Sequence, residues 1–211
     1  MISVLIVDDH AVIRQGIKDI ISEEADIKVT GECATAQDMF HLIKSNDYDI
    51  VLLDINLPQM NGIDALKLLK NLKPNLPVLI LSVYSEEHYA MRMLRAGASG
   101  YLSKDCSPDE IIAAIRKVAK GGSYITTYLA EKIVDIIHLK SIKEMPHASL
   151  SDREFQILCM IAKSKTPQQI SDELSLSVKT ISTYRARILK KLALKNSTEI
   201  MRYAMENHLI G

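Results

Sequence analysis

Apolar positions in the first 121 residues follow two alternating rhythms. The runs SVLIVDD, DIVLLDI and PVLILSV are apolar at nearly every position and stop at Asp, Pro, Gly or Ser, as strands buried on both faces do. With DIKVTGEC and GYLSK they make five predicted strands. Between and after them, AVIRQGIKDIISEE, AQDMFHLIKSN, GIDALKLLKNL, EEHYAMRMLRAG and SPDEIIAAIRKVAKGG space their apolar residues three and four apart, which predicts five amphipathic helices. Strand–helix alternation of this kind predicts an α/β doubly wound five-stranded parallel sheet. The fifth helix has a sharp start, with Ser107 as N-cap, Pro108 in the first turn and Glu110 closing a capping box, and Gly121 and Gly122 stop it.

The rhythm changes after residue 121. The stretch TYLAEKIVDIIHLKSI predicts one amphipathic helix and KEMPHAS a connector, so residues 122–147 read as a helical linker. From 148 to 211 four short helices are predicted, forming a small all-α domain. Capping boxes at Ser151–Glu154 and Thr166–Gln169 open the first two, Ser177 caps VKTISTYRARILKKL, and STEIMRYAMENHLI closes the chain.

Net charge is zero, yet its distribution is uneven. Residues 1–121 hold 13 basic and 17 acidic side chains, whereas residues 149–211 hold 10 basic and 6 acidic. Acidic and basic halves predict two kinds of partner. No apolar run reaches the roughly 18 residues that a membrane helix needs. The start MISVLIVDDH lacks a basic leader, and the separated Cys33, Cys106 and Cys159 suit reduced thiols, so a cytoplasmic protein is expected.

The chemistry is carried by polar residues at strand ends, where an open parallel sheet gathers its functional groups. Asp8 and Asp9 follow the first strand and Asp54 ends the third. Ser82 ends the fourth and Lys104 follows the fifth. Carboxylates within about 5 Å repel by roughly 3 kcal/mol per pair at an effective dielectric near 20. A divalent cation with oxygen ligands, Mg²⁺ above all, relieves that repulsion. An ionised carboxylate beside a cation and an ammonium is arranged to attack phosphorus, so Asp54 is a candidate phosphoacceptor. Helix and turn capping is the simpler alternative for any one of these acids. His10 reads as a helix-start residue, and Pro58 and Gly62 as turn residues.

The motifs VDDH at 7–10, LLDINLPQMNG at 52–62, LS at 81–82 and GYLSKD at 100–105 resemble the flavodoxin-like receiver domain of two-component response regulators over residues 1–121. The resemblance implies that Asp54 accepts a phosphoryl group from a sensor histidine kinase or phosphotransfer protein. It also implies Mg²⁺ held by Asp9, Asp54 and the Asn56 main-chain carbonyl, with Asp8 acting through water. Ser82 and Lys104 would contact the phosphoryl group, and Tyr101 would swing inward as a switch. Asp105 stands where many receivers have Pro, and a cis peptide is costly without Pro, so that geometry does not carry over.

In the basic domain, Ile181, Ile188, Leu192 and the stem of Arg185 share one side of the long predicted helix, and Lys179, Thr183, Ala186 and Lys190 the other. Small residues flanked by cations suit a DNA groove, although a solvated charged face has the same composition. LSDREFQIL, TPQQISDELSLSVKTIS and RARILKKLALKN resemble the LuxR-type helix-turn-helix domain of NarL/FixJ regulators over residues 148–211. That resemblance implies double-stranded promoter DNA as partner, with Ser182, Thr183 and Ala186 at base edges. Lys179, Thr180, Arg185, Arg187, Lys190 and Lys191 would meet phosphates. It further implies a homodimer on activation, paired through Ile200, Tyr203 and Ala204, for which core packing is the alternative. A transcription regulator and not an enzyme is expected. A phosphatase built on a strand-end Asp needs a second acid two residues on, and Asn56 stands there.

Overall fold

A computed structural model describes residues 1–82, 86–127, 129–131, 146–207 and 209. The chain forms two compact units, Met1–Leu129 and Ala130–Gly211. No helix among the described residues is long and apolar enough to cross a membrane.

The first unit contains strands β1 (Ile2–Val7), β2 (Ile27–Cys33), β3 (Ile50–Asp54), β4 (Val78–Ser82) and β5 (Gly100–Ser103). They pair in parallel in the order β2-β1-β3-β4-β5. All residues of β3 and β4 are buried, because helices cover both faces of a parallel sheet. Edge strand β2 instead alternates exposed with half-buried positions between its two buried ends. The helices are α1 (Ala11–Ser22), α2 (Ala36–Ser45), α3 (Gly62–Leu72), α4 (Glu86–Arg95) and α5 (Pro108–Ala119). Ile17 and Ile21 of α1 and Ile111, Ile115 and Val118 of α5 close over Val4, Ile6, Leu52 and Leu79 in one apolar cluster. Ser107 and Glu110 form the expected capping box at α5, and Gly121 at φ +82° lies just beyond its end. The chain then returns to the sheet, where the Tyr101 N–H donates to the Tyr124 carbonyl and the Tyr124 N–H to the Ser99 carbonyl.

Strand order reverses between β1 and β3, and their carboxyl ends flank the crevice that such a reversal opens. Val7 pairs with Leu53, so Asp8 and Asp54 leave the sheet at the same level. That register brings the acids together.

The second unit has a 3₁₀ turn at Pro146–Ser149, then α6 (Asp152–Ala162), α7 (Pro167–Leu174), α8 (Val178–Lys191) and α9 (Ser197–Glu206). Residues 154–162 of α6 are all buried, since α7, α8 and α9 pack around it. Capping boxes open α6 and α7 as the sequence predicts, and Ser177 caps α8 by accepting from the Thr180 N–H. Helix α7 ends with Ser175 left-handed at φ +51°, and Ser175–Ser177 turn the chain into α8. The linker helix expected over residues 127–142 lies largely outside the described residues.

Candidate functional site

Asp54 closes β3 with its side chain 1% exposed, and Asp8 follows β1 with its side chain 3% exposed. One ligand atom from each of Asp8, Asp9, His10 and Asp54 lies within 4.8 Å of the others. The Lys104 ammonium stands 2.6 Å from Asp8 Oδ2 and 2.8 Å from Asp54 Oδ2. Lys104 is placed by its backbone, whose N–H donates to the Ser82 carbonyl at 2.9 Å and carries the β4–β5 ladder one residue further. Ser82 itself is fully buried at the end of β4. The Lys104–Asp105 peptide is trans.

The loop from Ile55 to Asn61 returns tightly to the strand. Gln59 takes a left-handed conformation at φ +67°, and Asn61 caps α3 by accepting from the Ile63 N–H at 2.8 Å. Gly62 is more than the turn residue its sequence context suggests. Its N–H donates to the Ile55 carbonyl at 2.9 Å, and a β-carbon there would lie 2.6 Å from the Asp54 carbonyl oxygen.

Burial raises the pKa of Asp54 and the nearby Asp8 charge adds to that, while Lys104 and the Asn56 backbone N–H pull the other way. For Lys104 burial disfavours the charge, but Asp54 and Asp8 outweigh it and raise its pKa. Beyond Lys104 and the Asn56 N–H, no further donor among the described residues meets Asp8 Oδ2 or the two Asp54 oxygens, all of them buried. Buried carboxylate oxygens with unused lone pairs, and more negative than positive charge among them, fit a hard divalent cation. The three carboxylates supply hard oxygen ligands, which favour Mg²⁺ over zinc, with the His10 nitrogen beside them.

His10 occupies the N-cap position of α1, as expected, but makes no capping bond through its side chain. Its Nδ1 instead faces Asp9 Oδ1 at 2.7 Å and Asp8 Oδ1 at 3.2 Å. Tyr101 is fully buried on β5, opposite Ile80. Arg14, which the sequence does not single out, also reaches the site: its Nη1 donates to the Asp8 carbonyl at 2.7 Å.

On α8, Ile181 and Ile188 face the core, while Lys179, Ser182, Thr183, Ala186, Arg187 and Lys190 are exposed. Ser177, Lys179, Thr180, Thr183, Tyr184 and Arg187 line an open hollow of about 340 Å³. Ser182 Oγ and Thr183 Oγ1 donate to the Val178 and Lys179 carbonyls, each at 3.0 Å, and Thr180 Oγ1 lies 2.8 Å from Ser177 Oγ. Arg187 sits over the Tyr184 ring at 5.8 Å, and Arg185 Nε donates to Ser197 Oγ at 2.8 Å.

Two sets of expected contact residues are engaged within their own unit. Lys191 is exposed as well, but its ammonium is engaged within the unit, 2.6 Å from Glu154 Oε2 and 3.2 Å from the Ser149 carbonyl. A buried glutamate requires that partner. Ile200 and Ala204 are fully buried, with α9 packed on α6, so they build the core of their own unit and offer no pairing surface. Tyr203 is half-buried, its hydroxyl 2.9 Å from His147 Nδ1. A unit this small needs that helix face for its core.

Comparison with known proteins agrees with both halves. Residues 4–116 match the family described as response regulator receiver domain, and residues 148–204 match bacterial regulatory proteins, luxR family. The chain belongs to the response regulators. The response regulator UvrY of Escherichia coli strain K12 is 36% identical over 210 residues, covering 99% of this chain and 96% of UvrY. The response regulator GacA of Pseudomonas aeruginosa is 35% identical over 214 residues, covering 100% of this chain and 98% of GacA. Among solved structures, the response regulator ChrA of a heme-sensing two-component system is 29% identical with a TM-score of 0.53, covering 99% of this chain and 98% of ChrA. RcsB from Salmonella enterica serovar Typhimurium, solved on promoter rprA with phosphomimetic BeF3⁻, is 23% identical with a TM-score of 0.66 and shares the fold. It covers 96% of this chain and 98% of RcsB. This response regulator thus pairs a receiver with a LuxR-type domain.

Proposed function

We propose that this response regulator is a cytoplasmic, phosphorylation-dependent transcription regulator whose phosphoacceptor is Asp54. A sensor histidine kinase or phosphotransfer protein donates the group. An Asp54 carboxylate oxygen attacks phosphorus, the bond to the donor nitrogen breaks, and the imidazole departs with that electron pair. Asp9, Asp54 and the Asn56 carbonyl would hold Mg²⁺, with Asp8 acting through water. The ion supplies charge neutralisation for the phosphoryl oxygens. Lys104 steadies the same oxygens from the other side, and the Ser82 hydroxyl donates to one of them. The observation that carries this reading is Asp54 itself, a buried carboxylate with free lone pairs 2.8 Å from Lys104.

Phosphorylation adds charge at the end of β3 and favours one of two packings around Ser82 and Tyr101. The working boundaries are a receiver at 1–121, a linker at 122–147 and a DNA-binding domain at 148–211. Double-stranded promoter DNA would meet Ser182, Thr183 and Ala186 at base edges. Lys179, Thr180, Arg185, Arg187 and Lys190 would meet phosphates, in a homodimer whose pairing surface lies outside Ile200 and Ala204. No role in catalytic turnover is assigned, since Asn56 stands where a phosphatase of this plan needs a second acid.

Wild type and Asp54→Asn are compared with a small acyl-phosphate and Mg²⁺, by intact mass and by binding to promoter DNA. Wild type should gain one labile phosphoryl group and tighter binding, and Asp54→Asn neither. A wild type that gains no mass with metal bound would overturn the proposal.

A further inference from the structure

We infer that Arg14 is a positioning residue for the metal-binding acids, holding the peptide of Asp8 through its carbonyl. The inference rests on the Asp8–Asp9–Asp54 site taking Mg²⁺ and extends that reading to a residue that touches neither metal nor phosphoryl group.

Asp8 and Asp9 lie in the short loop between β1 and α1, where helices usually find an N-cap side chain that fixes the loop. His10 makes no such bond. The Asp8 peptide is held by other means. Its N–H donates to the Cys33 carbonyl at 3.1 Å, and its carbonyl accepts from Arg14 Nη1 at 2.7 Å. Its Oδ1 accepts from the His10 N–H at 2.8 Å. Its Oδ2 lies 2.6 Å from the Lys104 ammonium.

Arg14 is held in turn. Its side chain is 18% exposed, and its Nε donates to Glu32 Oε2 at 3.2 Å. Lys18 fixes the other Glu32 oxygen at 2.7 Å. Glu32 and Cys33 are the last two residues of β2, paired with Ile6 and Val7. The end of β2 therefore grips the Asp8 peptide from both sides, directly through Cys33 and through the Glu32–Arg14 pair.

A planar guanidinium suits this task, because one donor meets the carboxylate while another meets the carbonyl in fixed geometry. A lysine reaches one acceptor or the other. If the Arg14–Glu32 pair were only a surface ion pair, metal affinity would not depend on it. Groups that orient metal ligands from behind typically change affinity by about 10–100-fold when removed. Arg14 acts through the backbone of a ligand residue, so the lower end of that range is expected.

The test uses the full chain as wild type, Arg14→Met, Arg14→Lys and Glu32→Gln. Mg²⁺ affinity is measured by calorimetry well below the unfolding temperature, with thermal midpoints in EDTA and phosphorylation rates beside it. Arg14→Met should raise the Kd for Mg²⁺ about 10-fold. Arg14→Lys should fall between it and wild type, Glu32→Gln should raise Kd by less, and saturating Mg²⁺ should restore most of the phosphorylation rate. A folded Arg14→Met with the wild-type Kd overturns the inference, even if its midpoint has dropped. Should Arg14→Met fail to fold, a wild-type Kd in both Arg14→Lys and Glu32→Gln overturns it equally. A wild type that binds no Mg²⁺ defeats the site reading, and the role of Arg14 falls with it.

Discussion

Lys104 Nζ lies 2.8 Å from Asp54 Oδ2, with the two side chains 6% and 1% exposed. It is the only cation within ion-pair distance of that carboxylate among the described residues, and it serves Asp8 as well. Removing one partner of a buried pair typically costs about 3–5 kcal/mol, because the remaining charge stays dehydrated. Lys104→Met should lower receiver stability by about 3 kcal/mol in EDTA on that ground. Mg²⁺ at about 100 times its Kd returns about 2.7 kcal/mol by mass action. Denaturant unfolding with EDTA and with Mg²⁺ measures both effects. A variant whose own stability is the same in EDTA and in Mg²⁺ would mean that its carboxylates do not bind the ion.

Gly62 touches the phosphoacceptor strand through backbone alone. A β-carbon there would approach the Asp54 carbonyl oxygen and the Ile55 α-carbon, each to 2.6 Å, and neither can yield as a flexible side chain would. Gly62→Ala must therefore push α3 away from the end of β3. Forcing extra volume into a packed site costs about 1–3 kcal/mol. The variant should unfold earlier and accept phosphate more slowly, since Asp54 is carried by the displaced backbone. Equal phosphorylation rates for Gly62→Ala and wild type would show that the strand end tolerates the shift.

Glu154 links the cap of α6 to the end of α8. Burial raises the pKa of its carboxyl, but the Lys191 ammonium and the Ser151 N–H and hydroxyl outweigh that and hold it below the ordinary glutamate value. A depressed folded-state pKa contributes stability that is present above the unfolded value and lost as pH falls through the folded one. The second unit should therefore weaken in acid below about pH 4.5, where the unfolded chain starts to take up the proton. Glu154→Gln should flatten that acid limb. Lys191→Met should weaken the unit already at neutral pH by stranding the carboxylate. Thermal midpoints from pH 3 to 7 (roughly the span over which carboxylates titrate) give the comparison, and an unchanged acid limb in Glu154→Gln would remove this pair from the account.

Features set by neighbours in sequence were legible from the start. The apolar run that ends in Asp54 carries its own period, and the boxes at Ser107, Ser151 and Thr166 each close within three residues. The strand-end rule gathers Asp8, Asp9, Asp54, Ser82 and Lys104 from the sequence alone. Contacts between distant segments were not legible. Lys191 looks like one more cation on a basic helix until Glu154, 37 residues earlier, claims it. Ile200 and Ala204 lie on an apolar helix face, and periodicity does not say whether a face meets its own core or a second copy. The role of Arg14 depends on β2 lying beside β1, which alternation of strands and helices does not specify.

On α8 the exposed cations and the committed ones should separate by salt dependence. Each phosphate neutralised on double-stranded DNA contributes about 0.9 to the slope of log affinity against log salt. Lys179 and Arg187 border the open hollow beside Thr183, so Lys179→Ala and Arg187→Ala should each lower that slope by about one. Lys191→Ala should leave the slope near wild type, because its ammonium is already held by Glu154 and the Ser149 carbonyl, and should lower the unfolding midpoint instead. Anisotropy titrations of the phosphorylated full chain on promoter DNA, from about 50 to 200 mM salt, separate the two behaviours. If Lys191→Ala lowered the slope as much as Lys179→Ala, the ammonium would have to leave Glu154 on binding DNA, and a buried carboxylate would lose its partner in the bound state.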